Sequence, residues 1–185
     1  MSGVVKGLKE KVNPLCFLRE TDLTKPCKNI ERISIQAKKN NKNQIEFAHE
    51  LNLIVSNSIN YESGSTTTST SSKDALMQKK GVCQDFAHIL ISAARFNQLP
   101  ARYVNGFLLE ETVSGENTTH AWVEIFINNL GWVAFDPSHK KCIDDKYIRI
   151  STGFDFEDAS IIKGVKNNYN GNEYLNTKVD IENCQ

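Results

Sequence analysis

The sequence predicts an α+β fold, with N-terminal helices packed on an antiparallel β-sheet, and three observations lead there. Ile45, Ala48, Leu51, Val55 and Ile59 recur at intervals of three and four, the spacing of a buried stripe on an amphipathic helix. From Cys83, the residues Phe86, Ala87, Ile89, Leu90, Ala93, Ala94 and Phe96 cover most of a second helix, which must therefore be largely buried. Ala101–Glu110, His120–Ile127 and Trp132–Asp136 then read as strands, the last two joined by the hairpin connection Asn128-Asn129-Leu130-Gly131.

The elements follow in order. Residues 1–30, interrupted by Pro14 and Pro26, form an irregular N-terminal segment, and residues 31–185 form one core with C-terminal strands from about residue 146. The helix from Ile45 carries His49 among polar neighbours, a surface position. Glu62 to Ser72 is rich in Ser, Thr and Gly and reads as an exposed loop. Ser71 with Asp74 makes a capping box for a short helix, whose buried contacts come from Ala75, Leu76 and Met77. Asn97 closes the Cys83 helix and Pro100 prevents its continuation. A polar loop, Glu111 to Thr119, precedes His120 and suits substrate selection, and Pro137 stops the strand ending at Asp136. Tyr147–Ile150 and Tyr174–Ile181 have strand composition, with a long loop from Gly153 to Gly171 between them.

Composition narrows the function. The 22 basic side chains balance 22 acidic ones, and the lysine pairs at 38–39, 79–80 and 140–141 are too short and scattered for a nucleic-acid face. No run of about 18 apolar residues suggests a membrane partner. Five cysteines at 16, 27, 83, 142 and 184 do not form a disulfide framework, and with no leader-like start the expected location is the cytoplasm. No cofactor and no metal are expected. Paired C-x-x-C ligands, H-E-x-x-H and an EF-hand loop are all missing, and His139 with Cys142 alone does not make a site.

The chemistry gathers at Cys83, His120 and Asp136. A thiol attacks as thiolate, and a helix start offers unpaired N–H groups and the positive dipole end to stabilise that anion. The Cys83 N–H is then also placed to donate to an oxyanion. His120 opens one strand and Asp136 ends the next, so a hairpin brings them together across 16 positions. Both side chains share a face if the connecting loop has an odd number of residues or a bulge restores phase. His120 would serve as base and acid in turn, with Asp136 steering the imidazole. Singly, each residue has a plainer reading: a small buried hydrophobe for the cysteine, a turn former for Asp-Pro. Together they supply the parts of a thiol triad.

Gly81-Val82-Cys83-Gln84-Asp85-Phe86-Ala87-His88, Leu99-Pro100-Ala101-Arg102-Tyr103-Val104-Asn105-Gly106, His120-Ala121-Trp122-Val123-Glu124 and Gly131-Trp132-Val133-Ala134-Phe135-Asp136-Pro137 resemble the bacterial transglutaminase-like family. The likeness is dense from about residue 74 to 138 and looser from 44. It implies the papain-like transglutaminase core, with Cys83, His120 and Asp136 matching the family triad. Phe154 stands where the family block would carry arginine. His88, about 140 degrees round the helix from Cys83, takes a structural role. Trp122 and Trp132 suit either a cleft wall or core packing.

The resemblance implies a cysteine-dependent amide-bond enzyme acting on a peptide or protein. Its thioester is resolved by water, as in a protease or deamidase, or by an amine, as in a crosslinking protein-glutamine acyltransferase; hydrolysis is the favoured expectation. A non-catalytic peptide-binding module of the same fold is the contrasting reading, and it predicts a damaged triad.

Overall fold

The structure, a computed structural model, describes residues 3–7, 10–39, 43–109 and 119–162. In chain order these carry a 3-10 turn Pro14–Leu18, then α1 (Lys28–Lys38), α2 (Gln44–Ser56), β1 (Asn60–Tyr61), α3 (Ser72–Gln78) and β2 (Lys80–Gly81). Next come α4 (Cys83–Phe96), β3 (Ala101–Leu108), β4 (Thr119–Ile127), β5 (Gly131–Asp136), β6 (Lys141–Cys142), β7 (Tyr147–Gly153) and α5 (Phe156–Ala159). A five-stranded sheet in the order β6-β5-β4-β3-β7 pairs antiparallel throughout. The predicted α+β class and antiparallel sheet are therefore present.

Alternation along the strands divides the sheet into two faces. Ala121, Val123, Ile125, Ile127, Val133 and Phe135 point into the main core, where α4 lies on β3 and β4 and is surrounded by α1, α2 and α3. Trp122, Ala134, Val104 and Tyr147 form a smaller cluster on the other face, with Val5 packed against it. Gly3 and Val5 add to the edge of β5 through Ala134 N–H to Gly3 O at 2.8 Å and Val5 N–H to Trp132 O at 3.0 Å.

α4 is buried more completely than its pattern predicts. Every residue from Gln84 to Arg95 is inside, while Phe96 at its end is 37% exposed. Arg95 and His88 on its narrow face have tertiary partners in place of water. Arg95 donates to Thr24 Oγ1 at 2.8 Å, to Ala101 O at 2.9 Å and to Phe154 O at 2.7 Å, joining the N-terminal segment to the loop after β7. His88 Nε2 accepts from Phe156 N–H at 3.2 Å. Burial is the main cause that lowers its pKa to about 4, so the ring is neutral, which fits the structural role expected of it.

Local differences have local causes. α1 was not expected. Its apolar residues are sparse, and it is held by the burial of Ile30, Ser34 and Ala37 and by Ser34 Oγ donating to Ala93 O at 2.6 Å. Ser71 caps α3, its Oγ accepting from Asp74 N–H at 3.2 Å, but Asp74 Oδ2 takes the Ser71 hydroxyl at 2.6 Å in place of the backbone N–H of the predicted box. Of the three expected apolar contacts, Ala75 and Leu76 are buried while Met77 is 64% exposed. α5 interrupts the loop expected from Gly153, capped by Asp155 Oδ1 accepting from Asp158 N–H at 3.0 Å. The Glu111–Thr118 part of the substrate loop and the Tyr174–Ile181 strand lie outside the described residues. Among the described residues, no helix is long and apolar enough to cross a membrane.

Gly106 shows how tightly β3 is held. A Cβ there would meet Ile148 O at 2.0 Å and Trp122 Cη2 at 2.7 Å. Gly106→Ala must push β7 off β3, and we expect it to destabilise the fold by about 1–3 kcal/mol in urea titration. A variant as stable as the parent would show that this edge yields at no cost.

Candidate active site

The chain reverses at Asn97–Pro100, so α4 runs back over the strands that follow it and its first turn lies over the end of β3 and the beginning of β4. β4 opens, and β5 closes, at that same end of the sheet. The hairpin makes His120 and Asp136 neighbours. Ile127 pairs with Gly131, leaving a three-residue loop, Asn128 to Leu130, and hence residues of like parity on one face. The four-residue connection Asn128–Gly131 read from sequence is corrected to three, and the odd length satisfies the parity condition. Gly131 belongs to β5, and Asn129 takes the left-handed conformation (φ 66°) that closes the turn.

Four approaches position Cys83. β1 and β2 pair in parallel, and Glu62 N–H donates to Gly81 O at 2.9 Å, fixing the chain just before the helix. Asp85 accepts from Val82 N–H at 2.8 Å and from Thr66 Oγ1 at 2.6 Å. This removes a donor that would otherwise be orphaned before the first turn. Gln84 Nε2 reaches Thr68 O at 3.2 Å, so the Ser/Thr-rich segment, expected to be an exposed loop, is in part a brace for the helix start. Gly81 leaves room for the Asp85 carboxylate, which a Cβ would approach to 2.7 Å. Burial pushes the Asp85 carboxyl above its ordinary range despite these bonds.

His120 is 7% exposed and joins both other residues. Its Nε2 lies 2.7 Å from Asp136 Oδ2, and the Cys83 side chain stands beside the same ring, close enough to act on its charge. Burial disfavours the imidazolium, but the hydrogen bonds and charges of Asp136 and Cys83 outweigh it and bring the pKa to about 9. Asp136 is fully buried. Burial raises its pKa, yet hydrogen bonds from His120, His139 and Ser138 and the His120 charge hold it far below the ordinary carboxylate range. Oδ1 accepts from Ser138 N–H at 2.9 Å and Ser138 Oγ at 2.6 Å, and Oδ2 from Tyr147 OH at 2.7 Å.

The structure thus brings Cys83 beside His120, bonds His120 to Asp136, and adds residues that sequence reasoning passed over. His139 Nδ1 sits 2.8 Å from Asp136 Oδ2, so the carboxylate faces two imidazoles. The sequence grouped His139 with Cys142. Its better signal was the Asp136-Pro137-Ser138-His139 run, in which an Asp accepts from donors two and three residues on. Among the described residues, His120, Asp136 and His139 also form a group with potential metal ligands. Neither tryptophan walls an open cleft. Trp122 is fully buried against Tyr147, and Trp132 lies under the Arg102 guanidinium at 3.9 Å.

The profile of the transglutaminase-like superfamily matches residues 31–137. The chain belongs to that superfamily. An uncharacterised protein of Mycobacterium tuberculosis is 31% identical over 147 residues, covering 74% of this chain and 47% of its own length. One from Mycobacterium leprae is 35% identical over 129 residues, covering 67% and 44%. Among solved structures, a candidate cysteine protease from Cytophaga hutchinsonii is similar with a TM-score of 0.70 and 25% identity, over 86% of this chain and 53% of that one. The periplasmic domain of TgpA from Pseudomonas aeruginosa shares the fold, with a TM-score of 0.53, 21% identity, and coverage of 69% and 49%. This transglutaminase-like chain spans about half the length of the curated relatives it matches.

Proposed function

We propose that this transglutaminase-like chain is a cysteine-dependent amide-bond hydrolase acting on peptides or proteins, with Cys83 as nucleophile, His120 as acid and base, and Asp136 as the residue that orients His120. The observation carrying this reading is His120 held at 2.7 Å by Asp136 with the Cys83 side chain beside the same ring.

The steps balance as follows. The Cys83 sulfur adds to the amide carbonyl, and the oxyanion meets the Cys83 N–H at the start of α4. The imidazolium of His120 gives its proton to the leaving amine as the C–N bond breaks, leaving a thioester and a neutral ring. The ring then takes a proton from water as the oxygen adds to the thioester carbonyl, and the C–S bond breaks to free the acid and restore the Cys83 thiolate beside the imidazolium. Asp136 stays ionised throughout and balances the charge that His120 gains and loses.

Two measurements test the assignment. Iodoacetamide at mildly acidic pH should label Cys83 ahead of the other cysteines, and His120→Ala should remove that preference. Equal slow labelling of all five would instead favour a binding module. Profiling a peptide library for cleavage and for amine incorporation, with Cys83→Ala as control, separates hydrolysis from transfer. Turnover that survives Cys83→Ala in both readouts would falsify the assignment.

A further inference from the structure

We propose that His120 Nε2, Asp136 Oδ2 and His139 Nδ1 form a binding site for a divalent transition-metal ion of the zinc type. The three atoms all lie within 4.8 Å of one another. Nε2 and Nδ1 approach Oδ2 at 2.7 and 2.8 Å, and the two rings stand at 70° with centroids 5.2 Å apart, so both nitrogens converge on one carboxylate oxygen.

The donor set selects the ion. Two imidazole nitrogens and one carboxylate oxygen suit zinc and its neighbours, whereas magnesium and calcium prefer all-oxygen cages. A four-coordinate ion with bonds of about 2.0–2.1 Å holds its donors roughly 3.3 Å apart, so each nitrogen must retreat from Oδ2 by about half an ångström while the two nitrogens, now within 4.8 Å, settle at that same spacing. On binding, Nε2 and Nδ1 lose to solvent the protons they now share with Oδ2, and their lone pairs go to the ion. The carboxylate is already oriented, since Oδ1 is held by Ser138 N–H, Ser138 Oγ and His139 N–H and Oδ2 also accepts from Tyr147 OH. The His139 side chain is 37% exposed while Asp136 is fully buried, so the ion enters from the His139 side. Binding is independent of the hydrolase reading. Only its consequence rests on that reading: an ion on Nε2 separates His120 from Asp136 and stops turnover reversibly.

Calorimetric titration of zinc into the parent, Cys83→Ala, His139→Ala and His139→Asn proteins tests the site. One ion per chain should bind to the parent and, with affinity unchanged within about threefold, to Cys83→Ala. The two His139 variants should bind at least about tenfold more weakly, the scale set by even a supporting contact in metal sites. His139→Asn can still donate to Asp136, so its loss reports the missing ligand and not a collapsed turn. Cobalt should give a spectrum without a thiolate-to-metal charge-transfer band. No binding to the parent, or binding that survives loss of His139 and vanishes with Cys83, overturns the proposal; in the second case the ion sits on the thiol and imidazole. Failure of the peptidase assays would leave these titrations unchanged, so the two proposals fail separately.

Discussion

Cys83→Ala is expected to lower turnover by roughly 10⁶-fold and Asp136→Asn by roughly 10⁴-fold, measured as kcat on the best peptide from library profiling. The first removes the atom that carries the acyl group. The second keeps the shape but reverses the polarity of one arm, because both oxygens of Asp136 face donors: His120, His139 and Tyr147 on one, Ser138 and the His139 N–H on the other. Whichever way the amide turns, its NH₂ meets an N–H or O–H, and His120 loses its steering partner.

The pH dependence follows with its sign. His120 is raised from 6.5 to about 9, so the stability that its protonated form contributes is complete below about 6.5 and fades as pH climbs through 9. Asp136 behaves oppositely: its lowered pKa contributes stability above about pH 3.8 that is lost only in strong acid. We therefore expect kcat/KM to fall on the alkaline side near pH 9, as the imidazolium that protonates the leaving amine disappears, and this limb to move down in Asp136→Asn. A basic limb in the same place in both proteins would remove Asp136 from its orienting role.

Glu124→Ala is expected to destabilise the fold by about 3–5 kcal/mol, a fall in Tm on the order of 10 °C for a chain of this size. Glu124 is fully buried on the sheet face turned away from α4. Its Oε2 accepts from Arg102 Nε at 2.6 Å and stands in charge contact with Arg102 Nη2 at 2.6 Å, and its Oε1 faces Arg149 Nε at 3.1 Å. Arg149 reaches Glu10 at 3.0 Å, and Arg102 also bonds Glu10 while lying on Trp132. Removing Glu124 leaves the Arg102 guanidinium, 1% exposed, with only the more exposed Glu10 carboxylate to balance it, and that under-compensated buried charge is the source of the cost. The exposed pair Lys80–Glu62 serves as the control, since its loss should change stability by less than about 1 kcal/mol. Equal effects at the two sites would mean that water reaches Arg102.

The parts set by short-range chemistry were legible in the chain itself. The period of α2, the cap at Ser71, the helix start at Cys83 and the alternation of β4 and β5 follow from side-chain spacing and backbone preference, and they place a thiol, an imidazole and a carboxylate at element ends. Parity made the His120–Asp136 pairing conditional on an odd loop, and reading Gly131 as part of the turn gave an even one. Hydrogen-bond register puts Gly131 in β5. α1 is fixed by burial of Ile30, Ser34 and Ala37 against its neighbours, and Arg95 and Glu124 are charged residues whose sequence reading is surface until a distant partner is known. His139 is the clearest case. Its meaning depends on a turn past Pro137 that wraps it back onto Asp136, and a contact of that kind exists only once the chain has folded.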